Sequence, residues 1–195
     1  MLTVSRDGGT GDFLSRVIRS AKFKVGCVGL LVLGACAPGQ SAELTENLSV
    51  GARSGFAPSV KGEFRQTEAF GNWTFPGWLR STNFTIRPRL EGTAGYLESG
   101  GQYGFVGTVG PDLLFEYLPS RVALDLGVHA TLLSRDTYPS RDFGIPFQFT
   151  SHVGMEWEFI RHLKVGYRFQ HMSNSQLSSS NPGLNMHLFG MSYQF

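Results

Sequence analysis

His171 and Ser173 stand two residues apart and pair a base with a potential nucleophile. Asn174 follows at once, and the run Asn181-Pro182-Gly183-Leu184-Asn185 comes a few residues later. Read as a strand, Leu163–Asn174 has two distinct faces. Leu163, Val165, Tyr167 and Phe169 point one way, and Lys164, Gly166, Arg168 and Gln170 point the other. His171 and Ser173 continue the apolar row. In a soluble sandwich this would bury a polar pair in the core, whereas on a membrane barrel it would set the pair against lipid. The surrounding elements have to decide.

At 195 residues the chain has room for one domain. Glycine is abundant (25 residues), phenylalanine numbers 16, and only 16% of residues are charged. Mean hydropathy is near zero. That combination fits barrel strands alternating apolar and polar residues, and not helical spans of about 20 continuous apolar residues. Five bases and two acids lie ahead of residue 43. Without them, twelve bases face thirteen acids, so the remainder is about neutral and nucleic acid is not an expected partner.

Arg16, Arg19, Lys22 and Lys24 precede the apolar run Val25–Ala37, and Ser41-Ala42 follow it. Basic, apolar and small-residue regions in that order are a secretory signal, here residues 1–42 with cleavage after Ala42, leaving 43–195 as the barrel domain. Leu33-Gly34-Ala35-Cys36 is the competing exit, a lipobox-like run ending in a cysteine. Cys27 and Cys36 are the only cysteines, so no disulfide is expected beyond Ala42.

From there on, about eight alternating stretches are separated by turn signals. They are Glu46–Gly55, Ser59–Gly71, Asn83–Leu97, Tyr103–Tyr117, Val122–Leu133, Phe147–Phe159, Leu163–Asn174 and Asn185–Phe195. In the fourth, Leu114 and Glu116 break the alternation and leave its phase open. Pro119-Ser120-Arg121 and Arg161-His162 read as tight turns, while Ser134–Pro146 and Ser175–Leu184 read as longer polar loops. Short turns at one end and long loops at the other, with Trp73, Trp78 and Trp157 available for an aromatic girdle, form the pattern of outer-membrane barrels. Lys164 and Arg168 would meet Glu156 and Glu158 inside. The expected fold is all-β: an eight-stranded antiparallel transmembrane β-barrel with charge inside and apolar side chains outside.

With both ends of the barrel domain on the periplasmic side, the seventh strand runs outward. His171 and Ser173 then fall at the outer-leaflet level, and Asn185 shares their lipid-facing parity. Unpaired polar groups in lipid cost several kcal/mol each, so these three should pair with one another.

His171-x-Ser173-Asn174, Leu177, the Asn181-Pro182-Gly183 turn and the closing aromatic strand resemble the lipid A 3-O-deacylases of Gram-negative outer membranes, the PagL family. The specific motif covers about 25 residues, and the strand layout and signal extend a weaker likeness over the rest. The resemblance implies a serine esterase on the outer face of a barrel in the outer membrane. Ser173 would be the nucleophile, His171 the general base and Asn174 a contributor to the oxyanion hole. Its substrate would be lipopolysaccharide in the outer leaflet, which would lose the 3-O-linked acyl chain of lipid A; a homodimer is left open.

Two departures stand out. The family's acid, fourteen positions after the histidine, is Asn185 here, and Ser175-Gln176 replace an Ala-Gly pair. An amide can orient an imidazole, but it cannot stabilise the imidazolium by charge. That exchange costs about 10⁴ in rate in serine proteases, which leaves a working variant, a slow enzyme of reduced activity and a retired one all open. His187 shares Asn185's face and could support the site. His129, His152, His162 and His187 show no metal-ligand spacing, and no metal or cofactor is expected. Two other readings remain. One is an acyl-ester hydrolase acting on phospholipid; the other is a non-catalytic barrel with a structural or adhesive role.

Overall fold

Eight long strands, each hydrogen-bonded antiparallel to its neighbours in sequence, form the wall: β1 (Leu48–Ala57), β2 (Phe64–Thr74), β3 (Phe84–Ser99), β4 (Gln102–Tyr117), β5 (Val122–Leu133), β6 (Phe147–Ile160), β7 (Leu163–Ser173) and β8 (Leu184–Gln194). The computed structural model describes residues 47–58 and 63–195, so the expected signal and both of its exits lie outside the described residues. Pairing of β8 with β1 closes the sheet, with Ser49 opposite Gln194 and Phe56 opposite His187. This is the eight-stranded antiparallel barrel expected from the alternation.

Closure leaves each strand one face inside and one outside, and side-chain chemistry divides accordingly. Outward residues such as Phe105, Leu124, Val128, Val153, Phe189 and Met191 are about half exposed. An apolar belt of this extent would not persist against water, and it suits lipid. Inward residues fill the lumen in two zones. Toward the end bearing the loops 134–146 and 174–183, Phe64, Leu97, Phe143, Met172, Leu184 and Met186 form an apolar plug. Along the middle, buried charges neutralise one another. Arg53 bonds Glu68 and Glu91, Arg168 bonds Glu91 and Asp125, and Arg89 bonds Asp112 and Glu156. Removing one partner of such a pair strands a buried charge at a cost of about 3–5 kcal/mol.

Several local expectations need correction. Leu114 and Glu116 do not shift the phase of β4: both point inward with Asp112, and Leu114 is an apolar residue buried inside the barrel. Lys164 does reach Glu156, at 3.7 Å, but Arg168 crosses the lumen to Glu91 and Asp125 instead of meeting Glu158. Loop lengths follow the expected rule only in the later half of the barrel. The β2–β3 connection is long and adds a two-residue strand, Leu79–Arg80, beside β3, whereas β3 and β4 join at the opposite end through Gly100-Gly101 alone, both at positive φ. The loop after β5 is also more ordered than turn chemistry suggests, since Thr137–Tyr138 pairs with Arg141–Asp142 as a small hairpin.

Candidate active site

β7 and β8 set the site by register. His171 lies directly opposite Asn185, and both side chains are exposed on the outer face. His171 Nδ1 and Asn185 Oδ1 are 2.6 Å apart. An amide oxygen can only accept, so Nδ1 carries the proton and Nε2 keeps its lone pair for a proton acceptor's work. Of the three side chains expected to pair with one another, His171 and Asn185 do so and Ser173 does not. Ser173 lies two residues further along the same face, a rise of about 7 Å along the strand. Among the described residues its hydroxyl makes no hydrogen bond to the imidazole. Catalytic hydrogen bonds of this kind commonly tighten only when substrate arrives.

The Asn-Pro-Gly turn does more than reverse the chain. Gly183 has φ +60°, and a Cβ there would stand 2.9 Å from His171 Cε1. Glycine is thus needed both for the backbone and to let the turn press against the edge of the imidazole. Asn181 Oδ1 accepts from the Asn174 amide N–H at 3.0 Å. Asn174 itself is fully buried, and its side-chain NH₂ donates to Phe143 O at 2.9 Å and Ser180 O at 2.7 Å. In this state both of its donor groups are committed to holding the loop, so its side chain is not aimed at a substrate carbonyl. Two donors nearby are uncommitted: the amide N–H groups of Ser175 and Gln176 bond no other described residue. These residues have φ +52° and +66°, left-handed values that glycine adopts easily and a glutamine does not.

The loops lock over this corner. Gly144, at φ +79°, comes so close that a Cβ would lie 2.5 Å from Ser178 Oγ, and Ser180 Oγ donates to Asp142 O at 2.7 Å. Arg141 donates to Pro182 O at 3.3 Å and also to Gly183 O. Burial pushes the Arg141 guanidinium below its ordinary pKa. This clamp was invisible in the sequence, where Arg141 is one arginine in a polar loop. His187 takes a separate course: its Nδ1 meets Tyr167 Oη at 2.7 Å, and its ring packs on Phe169 and Phe56. It does not bond Asn185, so the expected support for the site is not of that kind.

The fold and this corner together define a class, the small outer-membrane-type barrels that carry a histidine-centred polar group on their outer wall. Residues 63–194 match the family model "Lipid A 3-O-deacylase (PagL)". The chain belongs to that family. It is 31% identical over 75 residues to lipid A deacylase PagL of Bordetella bronchiseptica, an alignment covering 38% of this chain and 42% of the relative. The crystal structure of the outer membrane enzyme PagL superposes with a TM-score of 0.64 at 18% identity, covering 75% of this chain and 99% of that one. At that identity the likeness speaks for the fold.

Proposed function

We propose that this barrel is an outer-membrane esterase that removes the 3-O-linked acyl chain from the lipid A part of lipopolysaccharide. The observation that carries the reading is the 2.6 Å contact between His171 and Asn185 on the lipid-facing wall, in a chain of the lipid A 3-O-deacylase family. An outward polar pair in an apolar belt costs desolvation energy that mutual hydrogen bonding only partly offsets, so its presence favours a functional role.

The chemistry follows from the donors and acceptors present. Asn185 holds the His171 ring in the tautomer whose Nε2 is basic. As Ser173 Oγ attacks the ester carbonyl, its proton passes to Nε2; the imidazolium then returns it to the leaving sugar oxygen. Water repeats the cycle on the acyl-enzyme and frees the fatty acid. The developing oxyanion is met by the free amides of Ser175 and Gln176, in a turn that Asn174 anchors through Phe143 and Ser180. Asn174 thus serves the oxyanion hole by fixing its backbone. The substrate needs no enclosed cavity, because the membrane presents the acyl chain along the barrel wall.

Mass spectrometry of lipid A from membranes carrying wild type or Ser173→Ala tests this. Loss of one 3-hydroxyacyl chain with wild type and none with the variant is expected. Unmodified lipid A beside a folded wild-type barrel would overturn the substrate assignment, and release of fatty acid from phospholipid in its place would redirect it.

A further inference from the structure

Inside the wall, Asp112 on β4, Gly127 on β5 and His152 on β6 are register partners and form one row across three strands. Asp125 and His129 flank Gly127 on the same inward face of β5. Four buried side chains therefore converge. His129 Nε2 lies 2.7 Å from Asp112 Oδ1, and His152 Nε2 lies 3.5 Å from Asp112 Oδ1 and 3.3 Å from Asp125 Oδ2. One ligand atom from each of Asp112, His129 and His152 can be chosen so that all lie within 4.8 Å of one another. The sequence concealed this, because the histidines come from different strands and no linear spacing relates them.

Three features set the cluster apart from ordinary lumen filling. His152 Nδ1 and Asp125 Oδ1 make no hydrogen bond, and His152 Nε2 has only the long contacts to the two carboxylates, although both side chains are more than nine-tenths buried. Glycine keeps the space open: a Cβ on Gly127 would fall 2.1 Å from Asp112 Oδ1 and 2.4 Å from His152 Cε1. Among the described residues, the deeply buried carboxylates Glu68, Glu91, Asp112 and Asp125 outnumber the buried guanidiniums Arg53, Arg89 and Arg168 by one. The cluster thus sits where buried carboxylate charge exceeds buried arginine charge.

We propose that His129 Nε2, His152 Nε2 and Asp112 Oδ1, completed by the Asp125 carboxylate, bind a zinc-class divalent metal ion inside the barrel. Tetrahedral zinc with bonds of 2.0–2.1 Å has ligand-to-ligand edges of about 3.3–3.4 Å. The 3.5 Å separation already matches; Asp125 Oδ2, 3.3 Å from His152 Nε2, also takes Arg89 and Arg168 at 2.8 Å each, so Oδ1 is the oxygen left for the ion. The 2.7 Å one opens by about 0.6 Å once the shared proton leaves. Two imidazoles favour zinc, copper or nickel over calcium or magnesium. Supporting contacts are in place. Arg89 Nε holds Asp112 Oδ2 at 3.0 Å, Arg168 holds Asp125 at 2.8 Å, and Thr108 Oγ1 lies 3.3 Å from His129 Nδ1, leaving Nε2 to face the metal. The ion would staple β4, β5 and β6, a role independent of the esterase reading.

The full protein, unfolded in urea and refolded in detergent with Co²⁺ or Zn²⁺, tests this by metal stoichiometry and visible spectrum. Wild type is expected to retain about one metal per chain through desalting, to show the strong ligand-field bands of a tetrahedral cobalt site, and to melt lower when refolded with chelator. His152→Gln and His129→Gln should each lose the bands and the chelator response. A folded wild type without tetrahedral cobalt bands overturns the proposal, as does full retention in both variants, which would trace the metal to surface histidines. If neither variant folds, the wild-type cobalt spectrum decides alone.

Discussion

Histidines with hydrogen-bonding partners occupy both sides of this barrel wall, within one residue of each other in register. Outside, His171 leans on Asn185 at 2.6 Å, and inside, His129 leans on Asp112 at 2.7 Å. Ser151, the β6 partner of His171, directly follows Thr150, the β6 partner of His129. The partners differ in charge, and so do the surroundings. Inside, Arg89 pairs with Asp112 and Asp125, and Arg168 pairs with Glu91 and Asp125. Outside, the Asn185 side chain bonds His171 and no described arginine, and a carboxylate against lipid would carry a larger desolvation cost. An amide in that position keeps the imidazole oriented and gives up the electrostatic help. Acid inside serves the fold, and amide outside serves orientation.

The comparison can be broken most forcefully at Ser173. Ser173→Ala should lower deacylation by a factor on the order of 10⁴–10⁶ in a refolded-enzyme assay while leaving the barrel intact by circular dichroism. Restoring charge outside comes next. Asn185→Glu should raise kcat at least about tenfold, with about 10⁴ as the ceiling set by the reverse change in serine proteases. An unchanged rate would mean that the imidazolium is stabilised from elsewhere. Inside the wall the expected effect is on stability. Glu91→Gln removes the carboxylate that Arg53 and Arg168 share, leaving them Glu68 and Asp125, and it should cost up to about 3–5 kcal/mol in urea unfolding with no change in the rate of the folded fraction. If that variant folds normally yet is slow, the two sides of the wall are coupled and the division drawn here fails. The smallest effect belongs to Gln176→Gly, which relieves a left-handed glutamine but frees the unfolded chain; a net change within about 1 kcal/mol is expected by the same unfolding measurement.

Much of the wall was legible because period-two alternation fixes which side each residue faces, and in β7 and β8 that placed His171, Ser173 and Asn185 correctly. Alternation misled where lumen chemistry changes along a strand. Leu114 looked like a phase error because the barrel interior is not polar throughout. Partners across the lumen were not legible at all. Arg168 meets Glu91 and Asp125, and His129 meets His152, through closure and register that no local pattern encodes. The same holds at the site. The Asn-Pro-Gly run announced a turn, but not that Gly183 would abut the imidazole, that Asn181 would hold the Asn174 amide, or that Arg141 would clamp the turn from another loop. Those contacts depend on two loops meeting, and each loop alone is only polar and rich in serine.

The most direct test of the central claim compares three refolded enzymes on one lipid A substrate: wild type, Asn185→Ala and Asn185→Glu. If the amide orients His171 and lacks only the charge, the rates should rank Glu above Asn and Asn above Ala, with the Ala variant at least about tenfold below wild type. Equal rates for Asn185→Ala and wild type, with both folded, would show that the pair on the outer wall is not the catalytic centre.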